Sequence, residues 1–135
     1  AAALLRAVAG QPLKIVALSD KPDAYAKSAR SALSGKGVHV IAAEMHVEFV
    51  CQGVSKATGL QRLCEELCQP MTAVVAFGDA MNDVEMLMAS GLGVAMGNAR
   101  EDVKQAAAEV CKYTNAEDGV ALRCEELMAE ARLVG

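Results

Sequence analysis

Apolar residues in this chain fall into two alternating patterns: short continuous runs, and runs spaced three and four apart. The first kind predicts strands and the second helices. A short helix is expected over residues 1–9, then a strand at Leu13–Leu18, a Ser19–Asp23 turn, and an Ala-rich helix over Tyr25–Leu33 that ends at Gly35 and Gly37. Val38–Ala42 and His46–Val50 read as two strands, paired antiparallel around Ala43-Glu44-Met45. From Ser55 the period becomes helical, with Leu60, Leu63, Cys64, Leu67 and Cys68 on one face until Pro70 stops it. Ala73–Phe77 is a continuous apolar run of the kind a fully buried parallel strand needs. A polar cluster at Gly78–Asp83 follows, then a helix at Val84–Ala89, a strand at Leu92–Met96, a helix at Glu101–Ala108, a strand at Val110–Thr114 and a last helix from about Val120 to Ala131. Such a β-α-β-α-β-α run requires right-handed crossovers and a parallel sheet with helices on its faces, hence an α/β class. The shift in pattern at Val50–Val54 divides the chain into segments 1–50 and 51–135.

Composition agrees with that class. The 135 residues are 53% hydrophobic but only 3% aromatic, the small side chains that let helices lie close on a sheet. Seventeen acidic residues against thirteen basic give a charge of −4, with no basic block to recruit nucleic acid or anionic lipid. A small-molecule partner fits better. The five cysteines are irregularly spaced and read as reduced thiols of a cytoplasmic protein. The apolar runs are strand-sized and no basic region precedes an apolar stretch, so neither a membrane span nor a secretory signal is expected. Ala1–Leu5 opens in apolar, helix-like sequence without an initiator methionine, as in a processed or trimmed chain.

The densest polar constellation is Gly78-Asp79-Ala80-Met81-Asn82-Asp83, between a strand and a helix. Open α/β sheets bind ligands there, outside the carboxyl ends of their strands. Asp79 stands at the strand tip and Asp83 about one helical turn further on, so both carboxylates can face one small volume. Two like charges held together need a cation, and oxygen ligands without His or Cys favour Mg²⁺. The alternative is that Asp79 and Asn82 simply cap the helix. Lys56 shifts the balance, because it opens the preceding helix and parallel topology brings it to the same sheet edge, where it can hold a phosphoryl oxygen. Its alternative is an ordinary solvated lysine.

These residues carry a resemblance. Gly53-Val54-Ser55-Lys56-Ala57-Thr58-Gly59-Leu60, then Gly78-Asp79-Ala80-Met81-Asn82-Asp83-Val84-Glu85-Met86-Leu87, then Val94-Ala95-Met96-Gly97-Asn98-Ala99, resemble successive motifs of Cof-like phosphatases of the haloacid-dehalogenase superfamily. The match in order and spacing runs through Asn115–Ala121. It implies the later half of a Rossmann-like core, with residues 1–50 resembling, more weakly, the end of an α/β cap domain. By this resemblance Lys56 is catalytic, steadying the substrate phosphate and an aspartyl-phosphate. Asp79 ligates Mg²⁺, Asp83 supports it partly through water, and Asn82 orients the loop near the phosphate. Asn98 matches a position near the phosphate too, although a loop-stabilising Asn turn explains it equally well. The implied activity is hydrolysis of a small phosphorylated metabolite, such as a sugar phosphate.

The chain also departs from the pattern. An apolar strand followed by Asp-x-Asp-Gly-Thr, the nucleophile motif, is absent, as is the Ser/Thr motif after it. Asp20 lies in the closest candidate, but Pro22 intervenes and Asp23 is three residues on, so it reads as a strand-end or helix-start residue. The expectation is little turnover by this chain alone. Two other readings compete: an inactive phosphate- or Mg²⁺-binding fragment that works through a partner, and a receiver-like signalling domain. The latter requires acidic residues at the first strand, which this chain lacks. An incomplete core would leave Ala73–Phe77 unpaired on one side, to be covered by a second copy or a complementing chain. Gly91-Leu92-Gly93 with Gly97 has GxGxxxG spacing around a strand, against dinucleotide binding. His39 and His46 read as structural, and Met81, Met86, Met88 and Met96 as core filling.

Overall fold

A computed structural model describes residues 14–43 and 45–134. The helix expected over residues 1–9 lies outside them. The chain divides into two compact units, residues 1–54 and 55–135.

In the first unit β1 (Lys14–Leu18), β2 (Val38–Ala42) and β3 (His46–Cys51) form an antiparallel sheet in the order β1-β3-β2. The register Val40↔Phe49 and Ala42↔Val47 is that of the expected pair, and Ala43 N–H closes the turn onto His46 O at 2.9 Å. Helix α1 (Pro22–Ala32) starts on its proline, whose missing N–H costs nothing in a first turn. Ala26 of α1, Val40 and Val47 form the buried core of this unit. Tyr25 meets Phe49 edge-on with ring centroids 6.3 Å apart.

The second unit is the parallel half. Helix α2 (Lys56–Glu66) precedes β4 (Val75–Gly78), α3 (Val84–Ala89), β5 (Leu92–Ala95), α4 (Glu101–Ala106), β6 (Glu109–Val110) and α5 (Gly119–Val134). The strands lie in the order β4-β5-β6 and both pairs are parallel. Ala76, Leu87, Ala95, Ala99 and Val103 pack into one buried cluster between sheet and helices.

Five expectations needed adjustment. Met71–Ala73 coil into a 3₁₀ turn, so β4 starts later than the apolar run. Among the described residues β4 pairs only with β5, as an incomplete core implies, but Val75 is 44% exposed rather than buried. The face of α2 is also less buried than its period implies: it packs on α3 and buries Cys64, while Leu63 and Leu67 stay 53% and 60% exposed. β6 ends at Val110 rather than running to Thr114, although Cys111 N–H still donates to Ala95 O at 2.7 Å and Gly97 N–H to Tyr113 O at 2.8 Å. Finally, only Met96 of the four methionines is buried; Met81 and Met88 are exposed.

Candidate active site

The site is built at the carboxyl end of β4. After Gly78 the backbone turns through Asp79 and Ala80 into a 3₁₀ turn, Met81–Asp83, which runs straight into α3. Its organiser is Asp83, 2% exposed. Oδ2 of Asp83 accepts hydrogen bonds from the backbone N–H of Asp79 and of Ala80, both at 3.0 Å, so the carboxylate folds back over its own loop. Oδ1 accepts from Lys56 Nζ in a charge-assisted bond. Burial pushes the Asp83 carboxyl up. The Lys56 bond and the Ala80 and Asp79 amides outweigh it, holding the group below the usual carboxylate range. Gly78 makes this fold possible: a Cβ there would lie 2.4 Å from Cβ of Asp83, so no larger residue fits.

Lys56 is delivered by the first turn of α2. Ser55 caps that helix, its hydroxyl accepting from Thr58 N–H at 3.3 Å while Thr58 Oγ1 accepts from Ser55 N–H at 2.9 Å. The side chain of Lys56 stays half exposed, one end on Asp83 and one side open to solvent. The free amides of the capped first turn add positive potential to that of the ammonium.

Asp79 is half-buried at the strand tip. Its Oδ2 accepts from Asn98 Nδ2 at 3.2 Å, and its Oδ1 takes no hydrogen bond among the described residues. Asn98 stands after β5 and uses its other amide atom as well: Oδ1 accepts from Asn115 N–H at 2.8 Å. Asn82 lies on the acidic loop with a buried Oδ1 that has no hydrogen-bond partner among the described residues. All five candidates, Lys56, Asp79, Asn82, Asp83 and Asn98, thus belong to one unit. Direct side-chain bonds join Lys56 to Asp83 and Asp79 to Asn98. Asp20, the rejected nucleophile candidate, is exposed in the bend between β1 and α1.

A hard cation fits this donor set in part. Asp79 offers an unbonded carboxylate oxygen and Asn82 an orphaned amide oxygen, both suited to Mg²⁺. Asp83 has both oxygens committed to Lys56 and the loop amides, so it shapes the site rather than offering a free ligand. The described residues hold no cluster of three or more His, Cys, Asp or Glu able to bind a metal, so the remaining ligands must be water or oxygens from elsewhere. The sequence reading passed over the turn at Thr114–Glu117. There Glu117 Oε2 accepts from Thr114 N–H at 2.9 Å and from Thr114 Oγ1 at 2.7 Å, fixing the backbone that meets Asn98. The Thr-x-x-Glu spacing was the available signal.

Comparison with known proteins places the chain. The profile of the haloacid dehalogenase-like hydrolases matches residues 9–122. The chain belongs to this family. Among curated relatives, 5-amino-6-(5-phospho-D-ribitylamino)uracil phosphatase YitU of Bacillus subtilis is 46% identical over 98 residues, covering 68% of this chain and 36% of that protein. Phosphatase YwpJ of the same organism is 44% identical over 89 residues, 66% of this chain and 31% of that protein. A haloacid dehalogenase-like hydrolase of Bacteroides thetaiotaomicron superposes with a TM-score of 0.76 at 35% identity, over 91% of this chain and 47% of that one. The chain therefore spans about a third of the curated relatives' length and about half of the solved structure's. The α/β architecture with a Rossmann-like parallel sheet is common to both.

Proposed function

We propose that the protein carrying this chain is a Mg²⁺-dependent phosphomonoester phosphatase that works through an aspartyl-phosphate, with the nucleophile outside residues 1–135. The observation that carries this reading is the ion pair of Lys56 with buried Asp83 beneath the Asp79 loop, an anion-attracting lysine set beside an acidic strand tip. In this reading the nucleophilic carboxylate attacks phosphorus, the ester oxygen leaves as an alcohol, and water then hydrolyses the acyl phosphate. Lys56 neutralises charge that spreads over the phosphoryl oxygens in both steps, and Asp83 keeps its ammonium at the site. Asp79 and the Asn82 amide oxygen would help hold Mg²⁺, which when bound supplies the remaining positive charge for the transferring group. Names of the YitU and YwpJ relatives support the phosphatase class. The substrate class we infer is a small phosphorylated metabolite, sugar phosphates and phosphoribityl compounds included.

Residues 1–50 are proposed as the end of the cap domain, and free thiols at all five cysteines suit a cytoplasmic setting. Among the described residues no helix is long and apolar enough to cross a membrane. One observation favours a second reading. The outer edge of β4 is unpaired among the described residues, so a binding fragment completed by another chain or a second copy remains the competitor. Intact mass, together with hydrolysis of p-nitrophenyl phosphate with and without Mg²⁺, separates the two. Mg²⁺-dependent turnover lost in Asp79→Ala is the expected result for the phosphatase. Turnover that survives Asp79→Ala sinks the site assignment, and a 14.1 kDa chain without turnover supports the fragment.

A further inference from the structure

Both polar ends of the Asn98 side chain are used inside the protein. Oδ1 accepts from the backbone N–H of Asn115 at 2.8 Å. A backbone N–H can only donate, so this contact fixes which end of the amide is oxygen and turns the NH₂ group toward Asp79. The carboxylate there can only accept, and Nδ2 stands 3.2 Å from Asp79 Oδ2. Asn115 opens the 3₁₀ turn Asn115–Glu117, which Glu117 clamps through both the N–H and the hydroxyl of Thr114. Close by, Gly97 N–H is bonded to Tyr113 O at 2.8 Å, so the loop after β5 and the segment after β6 are tied at two neighbouring points.

We propose that Asn98 is a positioning residue for Asp79: it holds Oδ2 of the carboxylate, leaves Oδ1 to face a cation, and takes its own orientation from the Thr114–Glu117 turn. One N–H of the Asn98 NH₂ serves Asp79 and fixes the direction of that carboxylate, while the second N–H of the exposed side chain is left over. The turn beyond β6 thereby steers a carboxylate at the tip of β4, two strands away. The proposal rests on the phosphatase reading only where it names Asp79 as a cation ligand; the hydrogen-bonded relay stands without it.

The test uses heteronuclear NMR of this chain and titration with Mn²⁺ alone as a spectroscopic stand-in for Mg²⁺. In Asn98→Ala the Asn115 amide should exchange about tenfold faster, having lost its acceptor. In Asp79→Ala the side-chain amide signals of Asn98 should move and exchange faster. Loss of an outer partner of a metal ligand lowers metal affinity by about 10- to 100-fold, so Asn98→Ala should weaken Mn²⁺ binding by about tenfold. Unchanged Asn115 exchange in Asn98→Ala overturns the proposal. So does unchanged Mn²⁺ affinity together with weakened binding of inorganic phosphate, the signature of a phosphate contact. Mn²⁺ affinity that is absent in the wild type or indifferent to Asp79→Ala overturns the metal assignment instead, and the amide signals then decide the relay by themselves.

Discussion

At the scale of single residues, Asp83 carries the site. Its carboxylate is buried and ionised because one ammonium and two backbone amides replace the water it lost. Since its folded pKa is depressed, the stability it contributes is complete above the unfolded carboxyl value of about 4 and is lost as pH falls through the lower folded value. Lys56→Met removes a charge partner and should cost roughly 1–2 kcal/mol near neutral pH, less than the 3–5 of a fully buried pair because the lysine is half exposed. Urea unfolding followed from pH 7 downward should show that difference shrink in the acid range, where Asp83 is protonated in both proteins. Gly78→Ala places a methyl carbon 2.4 Å from Cβ of Asp83. We expect a loss of about 1–3 kcal/mol, the range for overpacking a tight site, in the same unfolding assay.

At the scale of elements, the positions of helix ends matter more than helix propensity. Ser55 fixes where α2 starts and hence where Lys56 emerges; Ser55→Ala should cost about 1 kcal/mol by denaturant unfolding and lower turnover in an active form of the protein. Helix α5 is fastened differently. Arg123 forks onto Glu109 with Nε–Oε1 at 2.7 Å and Nη2–Oε2 at 2.9 Å, and Nη1 reaches Glu130 at 2.8 Å. These partners raise the arginine pKa beyond its already high value. Lysine cannot reproduce a planar fork, so Arg123→Lys should lower the melting temperature by about 2–4 °C for a loss near 1 kcal/mol. A melting temperature unchanged by the lysine would mean that the fork adds nothing beyond charge. The glycines of Gly91-Leu92-Gly93 also find their reason here, since a Cβ on Gly93 would sit 2.2 Å from Leu87 O. Gly93 admits close packing of β5 on α3, and Gly91 close approach to Thr72, whose carbonyl oxygen would lie 2.0 Å from a Cβ there.

At the scale of the whole chain, the two units differ in sheet type and each has its own buried cluster. The cysteines report on both. Cys51 and Cys68 are exposed, while Cys64 and Cys111 are buried. A thiol reagent added to the native protein should modify Cys51 and Cys68 promptly, Cys124 more slowly, and Cys64 and Cys111 only on unfolding, as peptide mass mapping would show. Prompt labelling of Cys111 would contradict the packing of the second unit.

Much of this protein was legible in its residues one neighbourhood at a time. The strands Val38–Ala42 and the helix Val84–Ala89 have the bounds read from the sequence, because turn residues and a change of apolar period mark both ends. The Gly78–Asp83 loop was legible for the same reason: a strand, a glycine and two carboxylates are adjacent in the chain. What sequence could not fix is what depends on partners far along it. Whether Val75 or Leu67 is covered is set by which strand or helix lies alongside, and a local apolar run cannot report the absence of a neighbour. The chain's order of carboxylates likewise left open which oxygens are free. Only the folded backbone turns Asp83 inward onto Lys56, twenty-seven residues away, and brings Asn115 within reach of Asn98, seventeen residues earlier. Local period and turn chemistry therefore determined the elements, and the order of motifs carried the family resemblance; hydrogen-bond direction and burial, which need three dimensions, decided the role of each side chain.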